Sequence, residues 1–216
     1  MIGVLGGTFD PVHFGHLRPA LEIHETLALD EIRLVPCRLP PHRSPPQAST
    51  DQRLSMLEAA VRSYPAFRVD RRELERDGPS YTFDTLASLR EELVGVGLCL
   101  LVGMDAFGEL TTWHRWRELT GLCHLVVMTR PGAAVPARGE LADFIGQHRV
   151  PDPARLRRQP AGLLLFQPVT PLAISASQVR KLLAAGRSPA FLMPEAVIEI
   201  INREGLYRDM MRHCEN

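Results

Sequence analysis

The 216-residue chain has little that would tie it to a highly charged partner, an oxidising compartment or a bilayer. Its 25 Lys and Arg side chains are matched by 25 Asp and Glu, which gives no electrostatic reason for a long nucleic-acid duplex or a membrane surface as partner. A local basic pocket is the form that positive charge can still take. Cysteine is sparse, and Cys37, Cys99, Cys123 and Cys214 are too scattered for a zinc knuckle or a dithiol redox motif. Reduced thiols fit this spacing. No apolar run approaches the ~18 residues of a membrane span, and the N-terminus lacks the basic stretch and small-residue cleavage site of a secretory signal. The cytoplasm is therefore the expected location. Internal repeats and low-complexity tracts are also lacking.

What is present is alternation. Apolar stretches of strand length ("MIGVL", "EIRLVP", "FRVD", "LCLLVG", "CHLVVMTR", "GLLLF") are separated by segments with helical spacing. Leu17, Ala20, Leu21 and Leu27 share one helical face, with Pro19 placed early enough for a first turn. Leu54, Leu57, Ala60 and Val61 mark a second helix, and Leu86, Leu89 and Leu93 a third. Near-continuous apolar strands alternating with helices predict an α/β fold, a doubly wound and mostly parallel sheet covered on both faces. The length suits a single domain over 1–216. Within it, 133–162 reads as a loop-rich insertion, with "VPDPARLRRQPAG" a loop or poorly ordered piece, and 174–216 as a C-terminal helical part.

The densest chemistry lies in "GVLGGTFDPVHFGHLRPALEI", residues 3–23. Gly6 and Gly7 close the first strand, at the edge where a doubly wound sheet places its ligands and where backbone amides approach phosphate. Asp10 and Pro11 force a turn, and Gly15 and His16 open a helix whose first amides favour anions. His13 and His16 then stand beside an anion site, able to donate to a polyphosphate and to stabilise charge on a reacting phosphoryl group. Other readings of the pair remain: a helix cap plus a packing contact, a His-x-x-His metal site for which no third ligand is visible, or nucleophilic histidine chemistry.

Later strings have their own local readings. In "ISASQVRKLLAAG", Ser175 serves as N-cap, Gln178 as capping-box partner, Ile174 and Val179 as hydrophobic staple, and Gly186 as C-terminal stop. That leaves Arg180, in the second turn, without a role in the helix and within reach of a phosphate held near Ser175 and Ser177. "PPHRS" puts His42 and Arg43 on a loop after the second strand, either as a solvated basic loop or as ligand contacts. In "GPSYTFDTL", Thr82 or Ser80 is suited to cap a helix whose free amides also favour a carboxylate. Trp113 and Trp116, three apart on an expected helix, are a core pair or a stacking platform. Asp105, just beyond the strand "LCLLVG", stands where a carboxylate binds ribose hydroxyls or helps place an ion.

Taken together, "GGTFDPVHFGH", "PCRLPPHR", "GPSYTFDTL", "LLVGMDAF", "TWHRW", "TRPG" and "ISASQVR" occur in the order in which similar strings occur in bacterial nicotinate-nucleotide adenylyltransferases of the nucleotidyltransferase superfamily. The resemblance spans nearly the whole chain and implies a Rossmann-like nucleotidyltransferase fold. It also implies transfer of AMP from ATP to the phosphate of nicotinate mononucleotide, giving deamido-NAD and pyrophosphate, with Mg2+ accompanying ATP and no metal bound by the protein alone. It places ATP against Gly6, Gly7, Thr8, Phe9, His16, His42, Arg43, Gly103, Asp105, Ser175, Ser177 and Arg180. The nicotinate end falls to Tyr81, Thr82, Thr85 and Trp113, with Trp116 left to packing. His13, His16 and Arg180 are implied to be catalytic, joined by His42 and Arg43 in one electrostatic set. Two positions depart from the family's usual residues: Ala176 lacks a hydroxyl, and Arg43 stands where lysine is common, exchanging a point charge for a planar fork. The rival readings are a related enzyme acting on nicotinamide mononucleotide or another phosphate acceptor, and a nucleotide sensor without turnover. Partners implied are small molecules, with neither nucleic acid nor membrane, and the oligomeric state is left open.

Overall fold

The computed structural model describes residues 1–39, 45–130, 132 and 134–208. Among them, β1 (Ile2–Gly7), β2 (Glu31–Pro36), β3 (Phe67–Val69), β4 (Leu98–Gly103), β5 (His124–Thr129) and β6 (Leu164–Pro168) coincide with the apolar strings of the sequence. They form one parallel sheet in the order β3-β2-β1-β4-β5-β6. The chain builds outward from β1 to β3, then crosses back to lay β4 on the other side of β1. Connections leaving β1 and β4 therefore diverge, and a crevice opens at the carboxyl ends of these two strands.

The helices are α1 (Phe14–Leu27), α2 (Thr50–Val61), α3 (Arg72–Glu75), α4 (Thr82–Glu92), α5 (Met104–Gly108), α6 (Leu119–Leu122), α7 (Glu140–His148), α8 (Ala176–Ala184) and α9 (Glu195–Glu204). Successive strand residues point to opposite faces. Leu5, Leu101, Val126 and Leu165 join a core with Ala20 and Ile23 of α1, Met56 and Leu57 of α2, Val179 of α8 and Val197 and Ile201 of α9. Val4, Leu100, Val127 and Leu164 join the other core, with Leu86 and Leu89 of α4, Leu119 of α6 and Phe144 and Ile145 of α7. Burial on both faces is why the strands read as unbroken apolar runs. Each such side chain contributes about 1.5–3 kcal/mol.

Three local expectations are corrected. Pro19 lies inside α1 rather than in its first turn, so the carbonyl of Gly15 loses its i+4 amide donor. Trp113 and Trp116 are not on one helix: Arg115 between them takes a left-handed φ of 53°, and short 3₁₀ turns at Leu110–Thr112 and Trp116–Glu118 flank it. The 133–162 segment holds more structure than a loop. It carries α7, whose Leu141, Phe144 and Ile145 are buried. Pro153–Arg158 forms a 3₁₀ turn with Asp152 accepting the amide of Ala154 and Leu156 fully buried.

Candidate active site

Gly6 and Gly7 end β1 at the crevice. Phe9, two residues on, folds back under the strand end with a left-handed φ of 50° and a buried ring. A Cβ on Gly7 would stand 3.0 Å from that ring, so only glycine leaves room for it. The turn is clamped from beneath by Arg53 of α2, 1% exposed, whose Nη1 donates to the carbonyls of Thr8 and Cys37, each at 2.8 Å. One buried guanidinium thus joins the ends of β1 and β2. Thr8 Oγ1 also accepts from the Cys37 thiol at 3.6 Å, and burial pushes that thiol's pKa up.

His13 is the N-cap residue of α1, and its amide donates to His16 Nδ1 at 3.4 Å. With Nδ1 accepting, the proton of the neutral His16 ring belongs on Nε2. The two imidazoles stack, 3.8 Å between centroids and 26° between planes, and Phe9 meets His16 edge-on at 5.2 Å. Burial lowers the pKa of His13 to about 4, so its ring is neutral at pH 7. Its Nδ1 is buried without a partner among the described residues. His13 thus occupies the cap position of α1, with its amide held by the His16 ring.

The start of α8 comes to the same place. A Cβ on Gly15 would lie 2.8 Å from the carbonyl oxygen of Ile174, so the absence of a side chain there is what lets the two helix N-termini abut. Ser175 caps α8 by accepting the Gln178 amide at 3.2 Å, the serine half of the expected capping box. Ile174 and Val179 pack into the core beneath. Arg180 reaches across from α8: its Nη1 donates to the Asp10 carbonyl at 2.6 Å and its Nη2 to Ser177 Oγ at 3.4 Å. Across the crevice, Gly103 and Asp105 are exposed at the end of β4 and in the first turn of α5. A Cβ at Gly6 or Gly103 would meet nothing within 4 Å. The two strand ends thus flank open space. His42 and Arg43 lie outside the described residues.

On the far side of the crevice the expected helix caps are corrected. Tyr81 is the N-cap position of α4 and makes no side-chain cap, while Thr82 is already in the helix. Ser80 Oγ instead accepts the amide of Arg38, tying this turn to the segment after β2. Thr85 is buried, and its hydroxyl donates to Glu73 at 2.5 Å while lying 3.5 Å from Arg76 Nη2. Burial raises the pKa of Glu73 against the lowering effect of Thr85 and Ser80. Tyr81 packs against His114, 4.5 Å between ring centroids, the residue next in sequence to the half-buried Trp113. Trp116 is buried edge-on against Phe144 at 5.3 Å.

Arg53 and Glu73 brace these turns and went unread in the sequence. Arg53 had a signal: it stands on the helical face of Met56, Leu57 and Ala60, all buried, where a charge needs a reason. No group of three or more His, Cys, Asp and Glu side chains among the described residues is placed to hold a metal ion. No helix among them is long and apolar enough to cross a membrane.

The chain matches the cytidylyltransferase-like family over residues 4–182. A protein of Methylococcus capsulatus named as a nicotinate-nucleotide adenylyltransferase is 50% identical over 208 residues, covering 96% of this chain and 99% of its own. One of the same name from Halorhodospira halophila is 51% identical over 206 residues, covering 95% and 94%. In fold, the chain is similar to the Plasmodium falciparum nicotinic acid mononucleotide adenylyltransferase complexed with NaAD, with a TM-score of 0.71 at 19% identity, covering 95% of this chain and 96% of that one.

Proposed function

Since this chain belongs to the nicotinate-nucleotide adenylyltransferase family, within the cytidylyltransferase-like proteins, we propose that it transfers AMP from ATP to the phosphate of nicotinate mononucleotide, releasing pyrophosphate and forming deamido-NAD. The observation that carries the reading to these residues is the meeting of two helix N-termini at Gly15 and Ile174, with His13, His16 and Arg180 around it. Free helix amides, imidazole N–H donors and a guanidinium form a site for a polyphosphate anion.

ATP lies with its triphosphate against Gly6, Gly7, Thr8, Phe9, His16, Ser175, Ser177 and Arg180, and with Gly103 and Asp105 at the ribose side. A phosphate oxygen of the mononucleotide attacks the α-phosphorus in line. One P–O bond forms as the bond to the β-phosphate oxygen breaks, and pyrophosphate leaves with the electron pair. The attacking phosphate is already ionised, so no general base is called for. Catalysis rests on positioning and on donors aimed at the charge that builds on the reacting phosphoryl group. His13, neutral by burial, acts as a hydrogen-bond donor rather than a cation. A divalent ion such as Mg2+, brought with ATP rather than held by a protein cluster, would help neutralise the triphosphate charge that His16 and Arg180 face.

The acceptor's ring sits by Trp113 and its carboxylate by the start of α4 at Tyr81 and Thr82, where backbone amides favour an anion over a neutral amide. Thr85 supports this turn rather than touching the acceptor: its hydroxyl is engaged by Glu73 and its amide by the Tyr81 carbonyl. Pyrophosphate release with Mg·ATP and a panel of acceptors tests the reading. Nicotinate mononucleotide is expected to lead nicotinamide mononucleotide by roughly 100-fold in kcat/KM, because an amide sets its NH2 against amide donors. Equal use of the two would overturn acid specificity, and no release with either would overturn the reaction.

A further inference from the structure

Asp10 stands between the strained Phe9 and the N-cap His13, and it gathers four parts of the chain. Its Oδ1 accepts the amide of Ala48 at 3.1 Å and the hydroxyl of Tyr207 at 2.7 Å. Its Oδ2 accepts the amide of Gln47 at 2.9 Å and lies 3.7 Å from Arg180 Nη1. Its carbonyl holds the same Arg180 nitrogen. The carboxylate is buried. Gln47 and Ala48 lie just before Ser49, the N-cap of α2, so the Asp10 carboxylate also ties its loop to the start of that helix.

Tyr207 comes to this point from far away in sequence. α9 packs along α2, the chain reverses at Gly205 with a φ of 65°, and Tyr207 itself takes a left-handed φ of 63°. A non-glycine residue in that region carries backbone strain and persists where its surroundings hold it. The ring is part of the hydrophobic core, a role that phenylalanine fills as well. The hydroxyl is the part that core packing does not require. Burial, together with the neighbouring Asp10, pushes its pKa far up, so it remains a phenol and a donor.

Resting on the adenylyl-transfer reading above, we infer that Tyr207 is a positioning residue of the reaction: its hydroxyl latches the Asp10 carboxylate and so sets the phosphate loop, Arg180 and the entry to α2 in register around the triphosphate. Tyr207 does not touch substrate. It acts through Asp10, and its effect falls on ATP rather than on the acceptor, whose turn at Tyr81 is built on other elements.

The experiment is Tyr207→Phe in the full-length chain, with Asp10→Asn and the double variant. Steady-state pyrophosphate release is measured against ATP and against nicotinate mononucleotide, together with Mg·ATP titration calorimetry without acceptor and thermal midpoints. Loss of one buried hydrogen bond to a charged acceptor predicts a fall of about tenfold in kcat/KM for ATP and a similar weakening of Mg·ATP binding. The KM for the acceptor is expected to stay within about twofold, since the ring and the acceptor turn are intact. The double variant is expected to fall within about twofold of the weaker single variant, because both act through one contact. Wild-type kcat and ATP KM in Tyr207→Phe would overturn the latch. So would strictly multiplying losses in the double variant, or an acceptor KM that rises alongside a fallen thermal midpoint. The wild type separates the two readings. If it binds Mg·ATP but does not use this acceptor, the acceptor assignment fails while the calorimetric comparison still decides the latch; if it binds no Mg·ATP, both fall.

Discussion

His13 and His16 face each other at 3.8 Å, ring on ring, and burial keeps His13 neutral down to a pKa of about 4. Two imidazolium rings at that separation would repel strongly in a low-dielectric site. The stack therefore carries at most one positive charge near neutrality. The pKa in the folded state lies below the unfolded value of 6.5, so the unfolded chain binds the extra proton as pH falls. The contribution of His13 to stability is complete above pH 6.5 and is lost as pH drops toward 4. Its ceiling is ~3 kcal/mol, and His124, also lowered by burial, adds in the same sense. Urea unfolding from pH 7 to 4.5 is expected to show a stability that declines with acid, and a shallower decline in His13→Gln. Equal slopes in the two proteins would remove His13 from the account.

Arg180 uses two nitrogens on two different partners, the Asp10 carbonyl and Ser177 Oγ. Lysine keeps the charge but cannot span both. For Arg180→Lys we expect an ATP KM higher by about tenfold, the scale of a lost charge-assisted hydrogen bond, with the acceptor KM little changed. Steady-state kinetics with each substrate in turn decides it, and an unaltered ATP KM would sink the assignment.

Thr85→Val separates recognition from support. The hydroxyl is engaged by the buried Glu73, so its removal leaves a polar group short of a partner and costs about 1–3 kcal/mol of stability. The preference for acid over amide is expected to hold within about twofold, since the hydroxyl faces Glu73. A collapse of that preference, measured as the ratio of kcat/KM for the two mononucleotides, would return the hydroxyl to the acceptor site.

Arg53→Met keeps the stem and removes the fork. Two opposing effects meet here: relief of a buried charge and the loss of the donor to the carbonyls of Thr8 and Cys37. The carbonyls remain at the buried junction of β1 and β2, so the second effect is expected to win, with a net loss of about 1–3 kcal/mol and weaker ATP binding. A variant as stable as the wild type in denaturant titration would reverse that ranking.

The sheet was legible because both its faces are covered, which turns each strand into an unbroken apolar string that stands out between helices. The glycine turn and histidine pair were legible as one feature because they are local: Gly6 to His16 is one short stretch. What escaped reading depends on closure of the fold. Glu73 meets Thr85 and Tyr207 meets Asp10 only after several elements have packed. Local punctuation also misled. Pro151, Pro153 and a run of arginines suggested a loop, yet Pro153 starts a 3₁₀ turn and Leu156 fills the core. In 133–162 the spacing of Leu141, Phe144 and Ile145 carries a helical signal, so α7 was open to discovery. Between Trp113 and Trp116, by contrast, a left-handed Arg115 breaks the helix, a backbone choice that side-chain spacing does not record.

The ties from Arg180 and Tyr207 back to Asp10 span 170 and 197 residues. They set a schedule for biosynthesis. Emerging from a ribosome, the glycine turn and histidines precede these far partners by that length of chain. Contacts of such separation form late and slowly. A nascent chain that has not yet exposed Tyr207 would therefore carry the glycine turn without its grip, and the Asp10 junction would close only once that residue has emerged.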